Sequence, residues 1–76
     1  MNVKPLHAYL TDGARYAILR GPVRPLLAEL GIVGTYAPID RGYAVRAEHV
    51  PDVLALADSQ RGQWKTRVHR IEVHPS

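Results

Sequence analysis

Several residue types and patterns are missing from this 76-residue chain, and each absence excludes a class of protein. There is no cysteine, so a disulfide framework and every thiolate metal site are excluded. No apolar run approaches the length of a membrane span. Residues 1–13 lack the apolar stretch of a secretory signal peptide, so we expect a cytoplasmic protein that makes no use of a membrane.

Catalytic and cofactor motifs are missing as well. The chain has no GxSxG nucleophile motif, no phosphate-binding glycine loop and no HExxH or HxH spacing. The carboxylates fall mostly at predicted turns and helix surfaces, which leaves no acid/base pair. These absences predict a protein that is not an enzyme, with no metal site and no cofactor.

Phenylalanine is absent and lysine is scarce, which leaves a surface chemistry of tyrosine and arginine. Every aromatic side chain (Tyr9, Tyr16, Tyr36, Tyr43 and Trp64) carries a polar group. The net charge is +3, and arginine supplies nearly all of the positive side chains. Arginine suits bidentate contacts with phosphate and carboxylate groups, but a charge this small does not identify a nucleic-acid-binding protein by itself.

The first half of the chain reads as two strands and a helix. Apolar and polar residues alternate over residues 3–11, Asp12–Gly13 predicts a tight turn, and residues 14–20 read as the returning strand. Apolar residues at helical spacing then follow from Val23 to Leu30. Gly31 is the expected left-handed residue that ends this helix.

The same plan is found again later in the chain. Residues 34–40 and 42–47 read as a second hairpin, and an apolar stripe from Val50 to Ala57 predicts a second helix. Residues 7–32 can be laid over residues 34–59 at an offset of 27, which places Tyr16 on Tyr43. We therefore predict an internal ββα repeat, although two amphipathic segments of similar composition would also resemble each other.

A strand over about residues 65–73 completes the predicted order ββα–ββα–β. Because two helices with similar apolar stripes need one surface to cover, we expect an α+β fold with both helices on one face of an antiparallel sheet. Residues 1–76 would form a single domain, and the other face of the sheet would be open.

Strand alternation assigns side chains to the open face. Tyr9 lies opposite Leu6 and Ala8 and so is expected there, whereas Tyr16 and Ile18 are expected in the core. Such a face is one on which single-stranded nucleic acid stacks and pairs, and it equally fits a contact with another sheet or subunit, or a face exposed only to solvent. The candidate nucleic-acid-binding residues are Tyr9, Arg15, Tyr36, Arg46, Arg67 and His69.

The leading hypothesis is a small non-catalytic binding module, with nucleic acid slightly favoured as the partner. The alternative is a protein-interaction module, such as a phage or plasmid accessory protein that binds a host protein, with Tyr9 and Leu19 at the interface. A domain this small without disulfide or metal gains little from its own core, so we also expect a homodimer.

Three segments together resemble a known family. They are "RYAILRGPVRPLLAEL" from Arg15, "GTYAPIDRGYAV" from Gly34 and the helix "VPDVLALA" from Val50. In this order they resemble the HepA-related (HARP) domain of annealing helicases, in which a tryptophan takes the place of Tyr43. The resemblance implies binding to DNA forks or single strands. The size and arginine content also resemble the small accessory proteins of actinobacteria and their phages.

Overall fold

The computed structural model describes residues 3–72, which form one five-stranded sheet and two α-helices. The strands are β1 (Lys4–Thr11), β2 (Tyr16–Arg20), β3 (Thr35–Ala37), β4 (Gly42–Arg46) and β5 (Trp64–Ile71). The helices are α1 (Arg24–Leu30) and α2 (Val50–Ser59), and a short 3-10 turn (Ala47–His49) leads into α2. The α+β class and the order of elements are confirmed.

Local sequence accounts for the ends of these elements. Gly13 has a φ of 76° and the Ala14 N–H donates to the Thr11 carbonyl, which closes the turn between β1 and β2. Helix α1 ends at Gly31, whose left-handed backbone lets its N–H reach the carbonyls of the last turn. Helix α2 begins with a proline and an aspartate in its first turn, where both are favourable.

The strands lie in the order β3-β4-β2-β1-β5. The pairs β3–β4, β4–β2 and β2–β1 are antiparallel, but β5 lies parallel to β1 over its whole length, from Lys4 beside Trp64 to Thr11 beside Ile71. The sheet is therefore mixed, and the prediction of a purely antiparallel sheet was wrong. The predicted last strand extends past residue 72, and that part lies outside the described residues.

Chain direction explains the parallel strand. Each strand-to-helix-to-strand passage returns the chain to its starting end, so β5 runs in the same direction as β4. β4 is antiparallel to β2, and β2 is antiparallel to β1, so β4 and β1 also share a direction. A strand placed beside β1 after α2 must therefore pair with it in parallel.

The core lies between the helices and one face of the sheet. Leu6, Leu19 and Val45 come from three adjacent strands and have no exposed surface. The buried set from both layers is Leu6, Ala8, Ala17, Leu19, Val23, Leu26, Leu27, Val45, Val50, Val53 and Ala57. One contiguous cluster with contributions from α1 and α2 means that both helices cover the same face.

The predicted internal repeat is not confirmed, and side-chain direction gives a physical reason. The offset of 27 holds for the helices, where Val23 and Val50 are both buried. In the strands it places the buried Ala17 on Ala44, which lies on the opposite face according to the pairing of β2 with β4. Successive side chains in a strand point to opposite faces. An alignment that is displaced by one residue in the strands therefore matches buried positions with exposed ones.

Candidate functional site

The open face of the sheet can be read directly from the strand register. Residues paired across adjacent strands share a face, so the partners of a known open-face residue also lie on that face. Across β2, β1 and β5 these residues form rows: Ile18, Tyr9 and His69 form one, and Arg20, His7 and Arg67 form the next. Pro5 and Lys65 form a third row at one end of the face.

Arg20, Tyr9 and His69 come from three adjacent strands and form a continuous stack, called the stacked row below. The Tyr9 ring lies 4.5 Å from the His69 ring with an interplanar angle of 11°. On the side of β2 the Arg20 guanidinium lies 4.8 Å from the centre of the Tyr9 ring. Since β1 lies between β2 and β5, both faces of the Tyr9 ring are covered, and the row presents ring edges to solvent.

His69 also contacts His7 directly, the open-face residue two positions before Tyr9 on β1. Nδ1 of His7 and Nε2 of His69 are 3.0 Å apart, so one ring donates a hydrogen bond to the other. Their rings stack at 5.3 Å, and both side chains are only partly buried. This cross-strand pair fixes the orientation of both rings and leaves their outer edges accessible.

The cations of the open face differ in what they contact. Arg46 lies 3.3 Å from a carboxylate oxygen of Glu48, an ion pair at the β4 side of the face. Arg20 donates through Nε to the carbonyl of Asp40 at 2.7 Å. Lys65 and Arg67 have no ion pair, side-chain hydrogen bond or ring contact within residues 3–72. A backbone carbonyl carries no charge, so among these four cations only Arg46 is neutralised by an ion pair within residues 3–72, and Lys65 and Arg67 on β5 are the two without any such contact.

Charge is segregated between the two layers of the fold. No aspartate or glutamate occurs in β1 to β5, whereas these strands hold most of the lysines and arginines. Helix α2 carries Asp52 and Asp58 and no basic residue, and α1 carries one residue of each sign, Arg24 and Glu29. A polyanion approaching the open face thus meets cations on the strands and no carboxylate among the strand residues.

The other end of the open face is apolar. Tyr16 is 58% exposed and Ile71 is 46% exposed. With Tyr9, Ile18 and Thr11 they line a shallow cleft of about 210 Å³ that also touches Arg20 and Asp40. The open face therefore has a basic end, at the start of β1 and β5, and an apolar end where those strands finish.

Two sequence-predicted site residues are not on the open face. Leu19 was placed there with Ala17, but both are buried in the core, and Tyr16 and Ile18 face the open side instead. The error arises in β2, where three consecutive apolar residues fit either assignment of alternate side chains to the two faces of the sheet. Leu19 has no exposed surface and cannot form part of an interface.

Tyr36 is the second predicted site residue that does not lie on the open face. It pairs with Tyr43 across β3 and β4, which places it on the helix side of the sheet, and the two rings meet edge to face at 5.4 Å. Although Tyr36 is 54% exposed, it lines a groove next to α1 and lies far from Tyr9 in the strand order. It therefore cannot act with Tyr9 on a single ligand surface.

The remaining predicted residues divide into two groups. Tyr9, His69 and Arg67 lie together on β1 and β5. Arg46 pairs with Tyr16 on the far side of β2, and Arg15 precedes β2 and lines a small depression with Arg46 and Glu48. Of the predicted arginines, Arg46 is thus in an ion pair near β4, Arg15 lies near it without an ion pair within residues 3–72, and Arg67 lies on β5 without one.

No role was assigned from the sequence to His7, Arg20 or Lys65. The signal for Lys65 was available, because it alternates with Arg67 and His69 along one strand. Arg20 was missed because the error in the phase of β2 moved it to the wrong face. Within residues 3–72 no group of three or more metal-binding side chains occurs.

Neither helix of the described residues is long and apolar enough to cross a membrane. Comparison of the chain with protein-family models, with curated proteins and with solved structures gave no match. The function must therefore be argued from the geometry and charge of the open face.

Proposed function

We propose that the chain is a cytoplasmic, non-catalytic binding module that holds nucleic acid on the open face of its sheet. The segregation of charge carries this proposal: the strands contain Arg20, Arg46, Lys65 and Arg67 on the open side and no acidic residue. Neutralising phosphates and releasing their counterions is the main source of affinity for nucleic acids. A face with unpaired cations next to aromatic and imidazole edges fits that chemistry.

The roles within the face follow from the contacts. Arg67 and Lys65 are free to meet phosphates, whereas Arg46 must first leave Glu48, 3.3 Å away. Tyr9 acts as the central support of the row, because Arg20 and His69 cover both faces of its ring. Bases therefore meet the edges of this row rather than stacking on Tyr9.

A binding titration tests the proposal. We expect fluorescently labelled oligonucleotides to bind the wild-type chain at low salt and to dissociate as salt is raised. Arg67→Glu should abolish this binding, because it reverses a free charge on the open face. Arg24→Glu makes the same change in charge on α1, at the other side of the fold, and should leave binding nearly intact.

The absence of wild-type binding to every nucleic acid at low salt and tens of micromolar protein would overturn the proposal. Equal losses in Arg67→Glu and Arg24→Glu would also count against it, since that result would indicate attraction to net charge without a defined face.

The apolar end of the open face supports a second candidate function. Tyr16 and Ile71 are exposed beside a cleft, and exposed tyrosine with an aliphatic neighbour is typical of protein interfaces. In this alternative the chain is an accessory protein that binds a host protein through this end. Tyr16→Asp should then abolish retention of a specific cellular protein in a pull-down experiment, and Arg67→Glu should not.

A further inference from the structure

The outer strand β5 spaces its open-face charges regularly. Lys65, Arg67 and His69 occupy alternate positions, and each has a partner on the open side of β1. With a rise of about 3.3 Å per residue in a parallel strand, neighbouring side chains on one face lie roughly 6.6 Å apart. That separation is close to the spacing of successive phosphates in an extended single strand of nucleic acid.

The two open-face cations without a side-chain contact within residues 3–72 both lie on β5. They are Lys65 and Arg67, whereas Arg20 is held over the Tyr9 ring and against the Asp40 backbone carbonyl, and Arg46 forms an ion pair with Glu48. A backbone that crossed the strands at Tyr9 would pass over Ile18 and Ala44, which carry no charge. One that crossed at His7 would meet Arg20, whose guanidinium is already held by the Tyr9 ring and the Asp40 carbonyl. A backbone that follows β5 meets an unpaired cation at two successive open-face positions.

The stacked row beside β5 is suited to unpaired bases. His7 and His69 present ring edges, and the Tyr9 hydroxyl lies 3.5 Å from a terminal nitrogen of Arg20. The hydroxyl and the ring nitrogens outside the His7–His69 contact are suited to hydrogen bonds with base edges, which a duplex holds in Watson–Crick pairs and a single strand leaves free. Within residues 3–72, both helices lie on the other face of the sheet, so neither stands on the open face to enter a groove of a duplex.

We infer that the ligand of the open face is single-stranded nucleic acid whose backbone lies along β5. Two successive phosphates contact Lys65 and Arg67, and the bases lie against His69 on β5 and His7 on β1. This inference rests on the proposed function and adds the strandedness of the ligand and the path of its backbone.

The salt dependence of binding tests the path. For single strands the slope of log K against log salt is about −0.7 per phosphate neutralised, so two contacts predict a slope of roughly −1.4. Lys65→Ala and Arg67→Ala should each bring the slope closer to zero by about 0.7. Arg70→Ala is the matched control, because Arg70 lies on the same strand but pairs with Leu10 on the helix side, and its slope should stay at the wild-type value.

Strandedness is tested by competition with unlabelled oligonucleotides of equal phosphate content. Single strands should displace the probe at least tenfold more effectively than duplex, and His69→Ala should reduce this preference. If the wild-type chain binds no nucleic acid, the proposed function fails. If it binds, but Arg70→Ala weakens binding as much as Arg67→Ala, or duplex competes equally, the inference fails and the proposed function stands. Circular dichroism of each variant confirms that it is folded.

Discussion

The two faces of the sheet differ in almost every property, although the same strands build both. On the helix side Ala8, Leu19 and Val45 are buried without a polar neighbour among the core residues. On the open side the neighbouring positions on the same strands hold Tyr9, Arg20 and Ala44. Alternation along each strand thus places most of the stability on one face and the surface chemistry on the other, so a change on the helix side should cost more stability than a change at its neighbour on the open side.

A second contrast divides the open face itself. Its β4 side is closed by local contacts, since Arg46 meets Glu48 and Gly42 lies against β2. Its β5 side is an exposed edge strand whose basic residues Lys65 and Arg67 lack partners within residues 3–72. We therefore expect substitutions on β5 to weaken ligand binding and substitutions on β4 to lower the stability of the fold.

The largest expected effect is a loss of stability caused by a substitution on the helix side of β2. Leu19→Ala should cost about 3 kcal/mol, because it empties a fully buried site in the middle of the core. A chain of this length has a total stability of roughly 4–11 kcal/mol, so this variant should be close to unfolding. Ile18→Ala, one residue away on the open face, should cost only about 1 kcal/mol. Urea denaturation of both variants measures the difference, and equal costs would contradict the assignment of the faces.

This pair of residues also shows where sequence reasoning fails. Leu6, Ala8 and Tyr9 were placed correctly, because β1 alternates clearly between apolar and polar side chains. In β2 the run Ala17, Ile18 and Leu19 is apolar at every position, and periodicity cannot decide which residues face inward. The register with β4 decides it, and that register depends on contacts between distant segments.

A smaller effect is expected at the closed side of the open face. A Cβ atom at Gly42 would lie 2.6 Å from the Leu19 carbonyl oxygen and 2.8 Å from the Ile18 side chain. The carbonyl belongs to the backbone of a paired strand and cannot move cheaply, so Gly42→Ala should cost roughly 2 kcal/mol. Gly13→Ala is the control, since a Cβ there meets nothing within 4 Å, and its positive φ alone should cost about 1 kcal/mol. Thermal melts that rank Gly13→Ala as the more damaging change would contradict this packing.

The order of elements was predictable, because turns and helix ends carry local signals such as Asp12–Gly13 and Gly31. The parallel pairing of β5 with β1 was missed, although strand directions alone require it once β5 is placed beside β1. Tyr36 was listed with the open-face candidates, but its pairing with Tyr43 places it on the helix side, and that pairing carries no signal in β3 itself, which has only three residues. Side-chain contacts such as the His7–His69 pair join residues at opposite ends of the chain and left no local signal.

The stacked row should contribute a modest coupling energy on the open side. A double-mutant cycle with Tyr9→Leu and His69→Leu should show about 0.5–1 kcal/mol of interaction, because their rings stack at 4.5 Å. The cycle of Tyr9→Leu with Arg70→Ala should show almost none, since Arg70 points to the other face of the sheet. Equal coupling in both cycles would mean that the row is not formed in solution.

The smallest expected effect concerns the two edges of the sheet and the predicted homodimer. The β5 edge carries Lys65, Arg67 and Arg70, and like charges on an edge strand oppose pairing with a second copy. The β3 edge is uncharged and is followed by Ile39, which is 96% exposed. We therefore expect self-association through β3, which leaves β5 free for nucleic acid.

The melting temperature should rise by a few degrees as the protein concentration rises from about 1 to 100 µM, and Ile39→Lys should remove the rise. A wild-type monomer at about 100 µM in sedimentation, with a melt independent of concentration, would exclude the dimer. If Arg67→Glu removes the concentration-dependent rise in melting temperature and Ile39→Lys does not, the dimer contact lies instead on β5, the strand proposed to bind nucleic acid.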